Sequence, residues 1–238
     1  NSMNFPYFFV VEGDSNLYDK NWKPINSISK YKYMTRAIVG KNELCDTIAQ
    51  VYGGTPLNPR ELTINVSNWF RFVKAKRNIA VIKLDDLLNG LDISDYCVND
   101  TFFVKSIRKG FSLLMSTKEI QERFVNYVGD KEFEVVISQP IEILPDNMDR
   151  RLEFRCYIMN NKVISIARYD DTYDRIIPSG IKEYAEDFIL KYKDKLPRFY
   201  VLDVGITNNG LDIIELNKIE SSGKYQENKM ELIIKELQ

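Results

Sequence analysis

Apolar residues fall along this chain in short blocks, and the spacing inside each block predicts its element. Two-residue alternation or a compact apolar run marks strands at residues 7–11 (YFFVV), 80–83, 101–106 (TFFVKS), 134–138, 152–159 and 163–169. Helical spacing marks residues 42–52, through Leu44, Ile48 and Val51, and residues 117–127, where Ile120, Phe124 and Val128 share one side and Thr117 is the expected N-cap. Tyr184, Phe188 and Tyr192 give residues 179–195 one apolar helical face, and residues 224–237 read as a closing amphipathic helix. Residues 84–88 read as a short turn or helix. Asn160-Asn161 is the turn between the two strands on either side of it.

The most informative block is residues 199–217, FYVLDVGITNNGLDIIELN. Asn208-Asn209-Gly210 predicts a hairpin turn with Gly210 left-handed and Thr207 facing Leu211. That register sets Asp203 directly opposite Glu215 and puts Asn217 on the same face two residues on. Leu202, Val204, Ile214 and Leu216 are assigned to the other, buried face. Two carboxylates opposed across a hairpin repel. A divalent cation between them turns that cost into attraction, and the Asn217 amide oxygen is a further hard ligand suited to Mg²⁺. A solvated hairpin rim carrying ordinary acids is the alternative reading.

The texture turns polar over residues 92–100, and a boundary is drawn near Asn99. This gives an amino-terminal α/β lobe at 1–98 and a second region at 99–238. A chain of 238 residues, 44% apolar, has enough apolar surface for a sizeable core and is not a disordered polymer. Thirty-three basic against 34 acidic side chains leave a net charge of −1, so neither nucleic acid nor membrane is the expected partner. The aromatic and basic stretch at 63–76 is read as core with lysine stems lying along it. There is no histidine, which removes His-based triads and His-ligated metals from consideration. Cys45, Cys97 and Cys156 are widely spaced and read as small buried residues in a reducing compartment. With no signal peptide and no long apolar span read from the sequence, a cytoplasmic location is expected.

Chemistry therefore rests on carboxylates, amides and cations. Lys105 interrupts an apolar strand, where an ammonium needs water or an anion, and Lys109 follows beside Gly110. Glu153, Arg155 and Tyr157 share one strand face, and Arg168 on the next strand is placed near Glu153. Such a Glu–Arg pair is either a surface ion pair or the lining of a cleft in which arginine binds phosphate. A cationic set beside an acidic one is what nucleoside-triphosphate chemistry requires, and neither a P-loop nor a GxGxxG strand–helix motif is present.

The ordered segments FVKSIRKGF, VISQPIEI, EFRCYI, ARY, YVLDVG, IIELN and SSGKY resemble the ATP-grasp superfamily, in particular its compact bacterial and phage branch. The resemblance covers about residues 101–225. It implies an α+β ATP-grasp fold with ATP held between two lobes. Lys105 is expected on the α/β-phosphates, backbone groups of Gln139 to Ile141 on adenine, and Glu142 or Glu153 near the ribose. Arg155 and Arg168 are expected at the γ-phosphate or acyl phosphate, Lys109 is counted with them as catalytic, and Asp203, Glu215 and Asn217 are expected on Mg²⁺. The implied activity is an ATP- and Mg²⁺-dependent carboxylate–amine ligase acting on small-molecule or peptide substrates. Two departures from the family pattern stand out: Ser106 follows the phosphate lysine where proline is usual, and the ELN segment runs into Lys218-Ile219-Glu220. An ATP-binding module that chaperones or modifies a protein partner is the alternative. A metal-dependent nuclease is disfavoured because Lys218 falls one residue beyond the place where a Glu-x-Lys motif needs it.

Overall fold

The computed structural model describes residues 69–107, 111–170 and 176–219, five short strands within the first 56 residues, and the single positions Lys23, Ser222, Leu232, Ile233 and Glu236. The helix expected at 42–52 and most of that at 224–237 lie outside these residues, as do Cys45 and Lys109. Strands β1 (Tyr7–Val10), β2 (Leu17–Tyr18), β3 (Pro24–Ile25), β4 (Ala37–Val39) and β5 (Thr55–Pro56) form a sheet in the order β3-β2-β1-β4-β5. The apolar run expected as an interior strand is the central β1, parallel to β4. The chain divides into two compact units, one made of residues 1–72 and 143–238, the other of residues 73–142. Position 99 therefore lies inside the second unit. There Asn99 and Asp100 both adopt positive φ, in a tight turn ahead of the next strand.

The second unit is a four-stranded antiparallel sheet in the order β6-β9-β7-β8: β6 (Ile79–Lys83), β9 (Glu134–Ser138), β7 (Thr101–Ser106) and β8 (Ser112–Ser116). Helices α1 (Leu84–Leu88) and α2 (Thr117–Phe124) supply Leu84, Leu87, Ile120 and Phe124 to a core shared with Phe102, Val104, Val135 and Ile137 on one sheet face. Strand alternation then sends Phe103 and Lys105 to the other face. There Lys105 pairs with Val136 and Ser112, and Phe103 with Ser138 and Leu114. Strand β8 carries too weak an alternation to have been expected, because Leu114 is 61% exposed on the sheet edge.

The N-cap of helix α2 is Ser116, one residue before the expected Thr117. Ser116 Oγ accepts from Glu119 N at 3.3 Å, and Ser116 N donates to Glu119 Oε2 at 2.6 Å, a reciprocal capping box. The helix also stops at Phe124, so Val128 is 98% exposed and not on the Ile120 side. Ser116→Ala is expected to cost about 1 kcal/mol and to lower the melting temperature by a few degrees, which thermal denaturation checks.

In the first unit β10 (Glu153–Met159), β11 (Lys162–Arg168), β12 (Phe199–Thr207) and β13 (Gly210–Asn217) form an antiparallel sheet in the order β11-β10-β12-β13. Helix α3 (Ser179–Tyr192) buries Ile181, Ala185, Phe188 and Tyr192, with Phe188 against Tyr200 at 6.4 Å between ring centroids. Tyr200 shares its face with Ile158, Leu202 and Val204, so the opposite face carries Glu153, Arg155, Tyr157 and Asp203. The architecture is α+β. Among the described residues no helix is long and apolar enough to cross a membrane.

Candidate functional site

Two one-residue bulges decide which charged groups meet on that face. At the β12–β13 turn Gly210 is left-handed (φ 85°) as expected, but Thr207 pairs with Gly210, not Leu211. Continued regularly, that register would set Asp203 opposite Ile214. A register shift between Asp203 and Val204 takes up one residue, and Asp203 pairs with Glu215 after all. The extra residue is Ile214, so Ile213, 1% exposed, takes the buried position assigned to it. Ile214 lies instead beside Gly205. A Cβ at Gly205 would stand 3.0 Å from Ile143 Cγ1 and 3.2 Å from Ile214 Cδ1, closer than a side chain tolerates without displacing them.

The β10–β11 turn holds Asn160 and Asn161 at φ 51° and 59°, the two-residue geometry that matches strand twist. Regular pairing from that turn would oppose Glu153 and Arg168. A shift between Tyr157 and Ile158 pairs Phe154 with Arg168 instead. One residue of slip sends a side chain to the other face, and this corrects the placement of Arg168. The residue is 4% exposed and lies on the Phe154 side of the sheet. Its Nε donates to Asp170 at 2.9 Å and its Nη2 to Asp146 at 2.9 Å. Asp146 also accepts from Arg150 Nε and from the backbone N–H groups of Met148 and Arg150. The side-chain hydrogen bond from Arg150 comes first among the causes holding its carboxyl below the usual carboxylate range, and burial opposes them. This knot ties loop 144–151 to β11.

On the opposite face Arg155, Asp203 and Glu215 stand in one row across three neighbouring strands. Arg155 is 3% and Asp203 0% exposed. Arg155 Nε donates to Asp203 Oδ1 at 2.9 Å and Nη2 to Oδ2 at 2.8 Å, a two-pronged ion pair. The Tyr169 ring covers the guanidinium, with 4.5 Å from Cζ to the ring centroid. Asn217 Nδ2 donates to Asp203 Oδ2 and to Glu215 Oε1, both at 3.0 Å. Burial first, and then the Glu215 charge, push the Asp203 carboxyl up against the pull of Arg155 and Asn217. Burial also weighs against the Arg155 charge, but Asp203 outweighs it and holds the guanidinium above its ordinary range.

Two carboxylates and an amide thus converge on one small volume, in which the Asn217 N–H group bonds to both acids. Among the described residues no cluster of three or more His, Cys, Asp or Glu forms. The donor set is two acids and an amide whose oxygen is offered once the amide turns over. All three are hard oxygen ligands, so the residues fit Mg²⁺. Tyr157, in the next row, donates to Ser222 O at 3.4 Å, and Ser222 Oγ donates to Lys218 O at 2.6 Å.

Glu153 pairs with Gly205 on the same face. Its salt-bridge partner among the described residues is Arg151, at 3.6 Å and largely exposed. Burial, opposed by Arg151 and reinforced by Asp203 and Glu215, pushes its carboxyl up to about 7. A carboxyl raised in the folded state binds its proton more tightly there than in the unfolded chain. Its contribution to stability is therefore full below the ordinary carboxylate range and is lost as pH rises toward about 7. Glu153→Gln is expected to flatten that fall. Urea melts should find the variant more stable than the parent at pH 8 by roughly 1–2 kcal/mol, and equal to it near pH 4.

Gln139 sits at the end of β9. Its N–H donates to Asn78 O and its side-chain oxygen accepts from Asn78 N, so it holds the two strands together. Ile141 is half-buried and Glu142 exposed. Lys105 is exposed, on the sheet face of the second unit away from the Phe102 and Val104 core. Tyr169 and Gly205 were not among the residues expected from the sequence. Their roles follow from the two bulges, and the traces they leave are slight: a tyrosine directly after Arg168 and a glycine two residues after Asp203.

A family profile described as an ATP-grasp domain matches residues 84–237. Among solved structures, ATP-grasp ligase PsnB complexed with precursor peptide PsnA2 and AMPPNP is 11% identical, with 98% of this chain and 83% of that one covered and a TM-score of 0.52. D-cycloserine synthetase DcsG is 12% identical over 88% of this chain and 85% of its own, with a TM-score of 0.52. A RimK domain protein ATP-grasp from Sphaerobacter thermophilus is 15% identical over 79% and 73%, with a TM-score of 0.46. Identities this low speak to fold alone. No curated protein matches the sequence.

Proposed function

The chain belongs to the ATP-grasp domain family, and from that premise we propose that it is an ATP- and Mg²⁺-dependent ligase joining a carboxylate to an amine. The observation that carries the reading is the convergence of Asp203, Glu215 and Asn217, with Asn217 Nδ2 3.0 Å from an oxygen of each acid. Asp203 Oδ2, Glu215 Oε1 and the turned-over Asn217 oxygen would hold Mg²⁺, whose chemistry is to neutralise charge on the nucleotide's phosphate oxygens. Lys105 supplies a cation for the α/β-phosphates. The segment from Gln139 to Glu142 serves the base and ribose, through Ile141 and Glu142 because Gln139 is engaged with Asn78. Glu153, a carboxyl that is largely neutral at mildly acidic pH, can donate a hydrogen bond where an ionised acid cannot. Arg168, on the other face of its sheet, is given no role in this reading.

In this reading a substrate carboxylate oxygen attacks the γ-phosphorus and the bond to ADP breaks. An amine then adds to the acyl phosphate carbon and phosphate leaves with the bonding pair, while the amine proton passes to solvent. The substrates are small-molecule or peptide carboxylates and amines. A thermal-shift series with ATP, ADP and GTP, each with and without Mg²⁺, tests the nucleotide part, since a ligand bound only by the folded chain raises its melting temperature. Release of ADP on adding pooled amino acids and short peptides tests the ligase part. A chain that ATP and Mg²⁺ together do not stabilise does not have this function.

A further inference from the structure

We propose that Arg155 is a positioning residue for Asp203, fixing that carboxylate for a cation on its β13 side, and does not itself take a phosphate of the nucleotide. The inference rests on the nucleotide reading above and goes beyond it in assigning the arginine.

The row geometry divides the surroundings of Asp203 in two. Arg155 approaches from β10 and spans both oxygens, at 2.9 and 2.8 Å. Glu215 and Asn217 approach from β13, where Asn217 Nδ2 reaches Oδ2 at 3.0 Å. A carboxylate has about four lone-pair positions. Arg155 takes two, and the one that a cation needs is the one Asn217 Nδ2 occupies, on the far side from the guanidinium. A planar fork on two oxygens fixes the carboxylate's rotation as a single ammonium cannot. Tyr169 stacked at 4.5 Å fixes the fork in turn. Such support by a group that does not touch the cation is worth about 10–100-fold in metal affinity at many metal sites. The guanidinium charge is balanced by Asp203 within a buried pair, which leaves little net field for a phosphate.

Two measurements on the full-length chain separate this role from phosphate binding. One is the Mg²⁺ concentration giving half-maximal ATP binding; the other is the ratio of ATP to ADP affinity at saturating Mg²⁺. Arg155→Lys is expected to raise the Mg²⁺ requirement about 10–100-fold and leave the ATP-to-ADP ratio within about twofold of the parent's. A ratio that collapses tenfold or more with the Mg²⁺ requirement unchanged would place Arg155 on the γ-phosphate and overturn the proposal.

The pair Asp203→Asn and Asp203→Asn/Arg155→Gln gives a second test if Arg155→Lys does not fold, because in the double variant both partners are neutral and still able to hydrogen-bond. Removing Arg155 is expected to have no further effect on either readout once Asp203 is Asn, since it acts only through that residue. An additional loss in the double variant refutes it. If the unaltered chain binds neither ATP nor ADP with Mg²⁺, the nucleotide reading fails as a whole, a result distinct from either outcome in the variants.

Discussion

Glu215→Gln is expected to lower Mg²⁺-stimulated ATP turnover by about a hundredfold or more while leaving the ligand-free chain as stable as before. The two halves of that expectation have one cause. In the ligand-free chain the Glu215 charge opposes Asp203 across the hairpin and helps push that buried carboxyl up. Gln keeps the shape and an oxygen that can accept from Asn217 Nδ2, and it removes the repulsion. With Mg²⁺ and nucleotide the same charge becomes an attraction, which Gln cannot supply. Melting curves with and without Mg²⁺-ATP read both effects at once: the ligand-free temperature should hold or rise slightly, and the ligand-induced rise should disappear. If Mg²⁺-ATP still stabilises Glu215→Gln as it does the parent, the cation is held elsewhere.

How much of this was legible in the sequence depends on where the bulges fall. The strands β10 to β13 and the Asp203–Glu215 pairing follow from alternation and from one Asn-Asn-Gly turn. The turn that produces this pairing differs from the expected one, however. A three-residue loop and a two-residue loop followed by a bulge at Ile214 lead to the same pairing of Asp203, and they differ in whether Ile213 or Ile214 is buried. On β10–β11 no such cancellation occurs. The Asn160-Asn161 turn is read correctly and the bulge at Ile164 is not, so Arg168 goes to the opposite face from Arg155. Nothing in KVISIAR distinguishes a bulged isoleucine from a regular one, because bulges answer to sheet twist and to what packs above, neither of which is local. The N-cap of α2 is Ser116, one residue from the expected Thr117. There the reciprocal Ser116–Glu119 bonds decide, and the sequence offers Ser and Thr side by side.

Arg155→Met is expected to lower the stability of the ligand-free chain by about 3–5 kcal/mol at pH 8, a loss of roughly 10 °C in melting temperature. Asp203 is fully buried, and what remains to it is one N–H from Asn217, with Glu215 close by. Deprived of its arginine, it must stay ionised in a dry site or take up a proton. With its folded-state carboxyl raised further above the ordinary range, the variant's deficit grows as pH rises through that range and shrinks as pH falls below it. Stability at pH 5 should therefore be closer to the parent's than at pH 8. Replacing both partners, as Arg155→Met/Asp203→Leu, buries no charge at all, and apolar groups of similar volume often replace a buried ion pair at no cost. Denaturant melts of the two single variants, the double variant and the parent are expected to give a coupling of several kcal/mol, with the double more stable than Arg155→Met alone. Single variants that each cost less than about 1 kcal/mol, or a double that costs their sum, would show that the pair is not what holds this row of the sheet together.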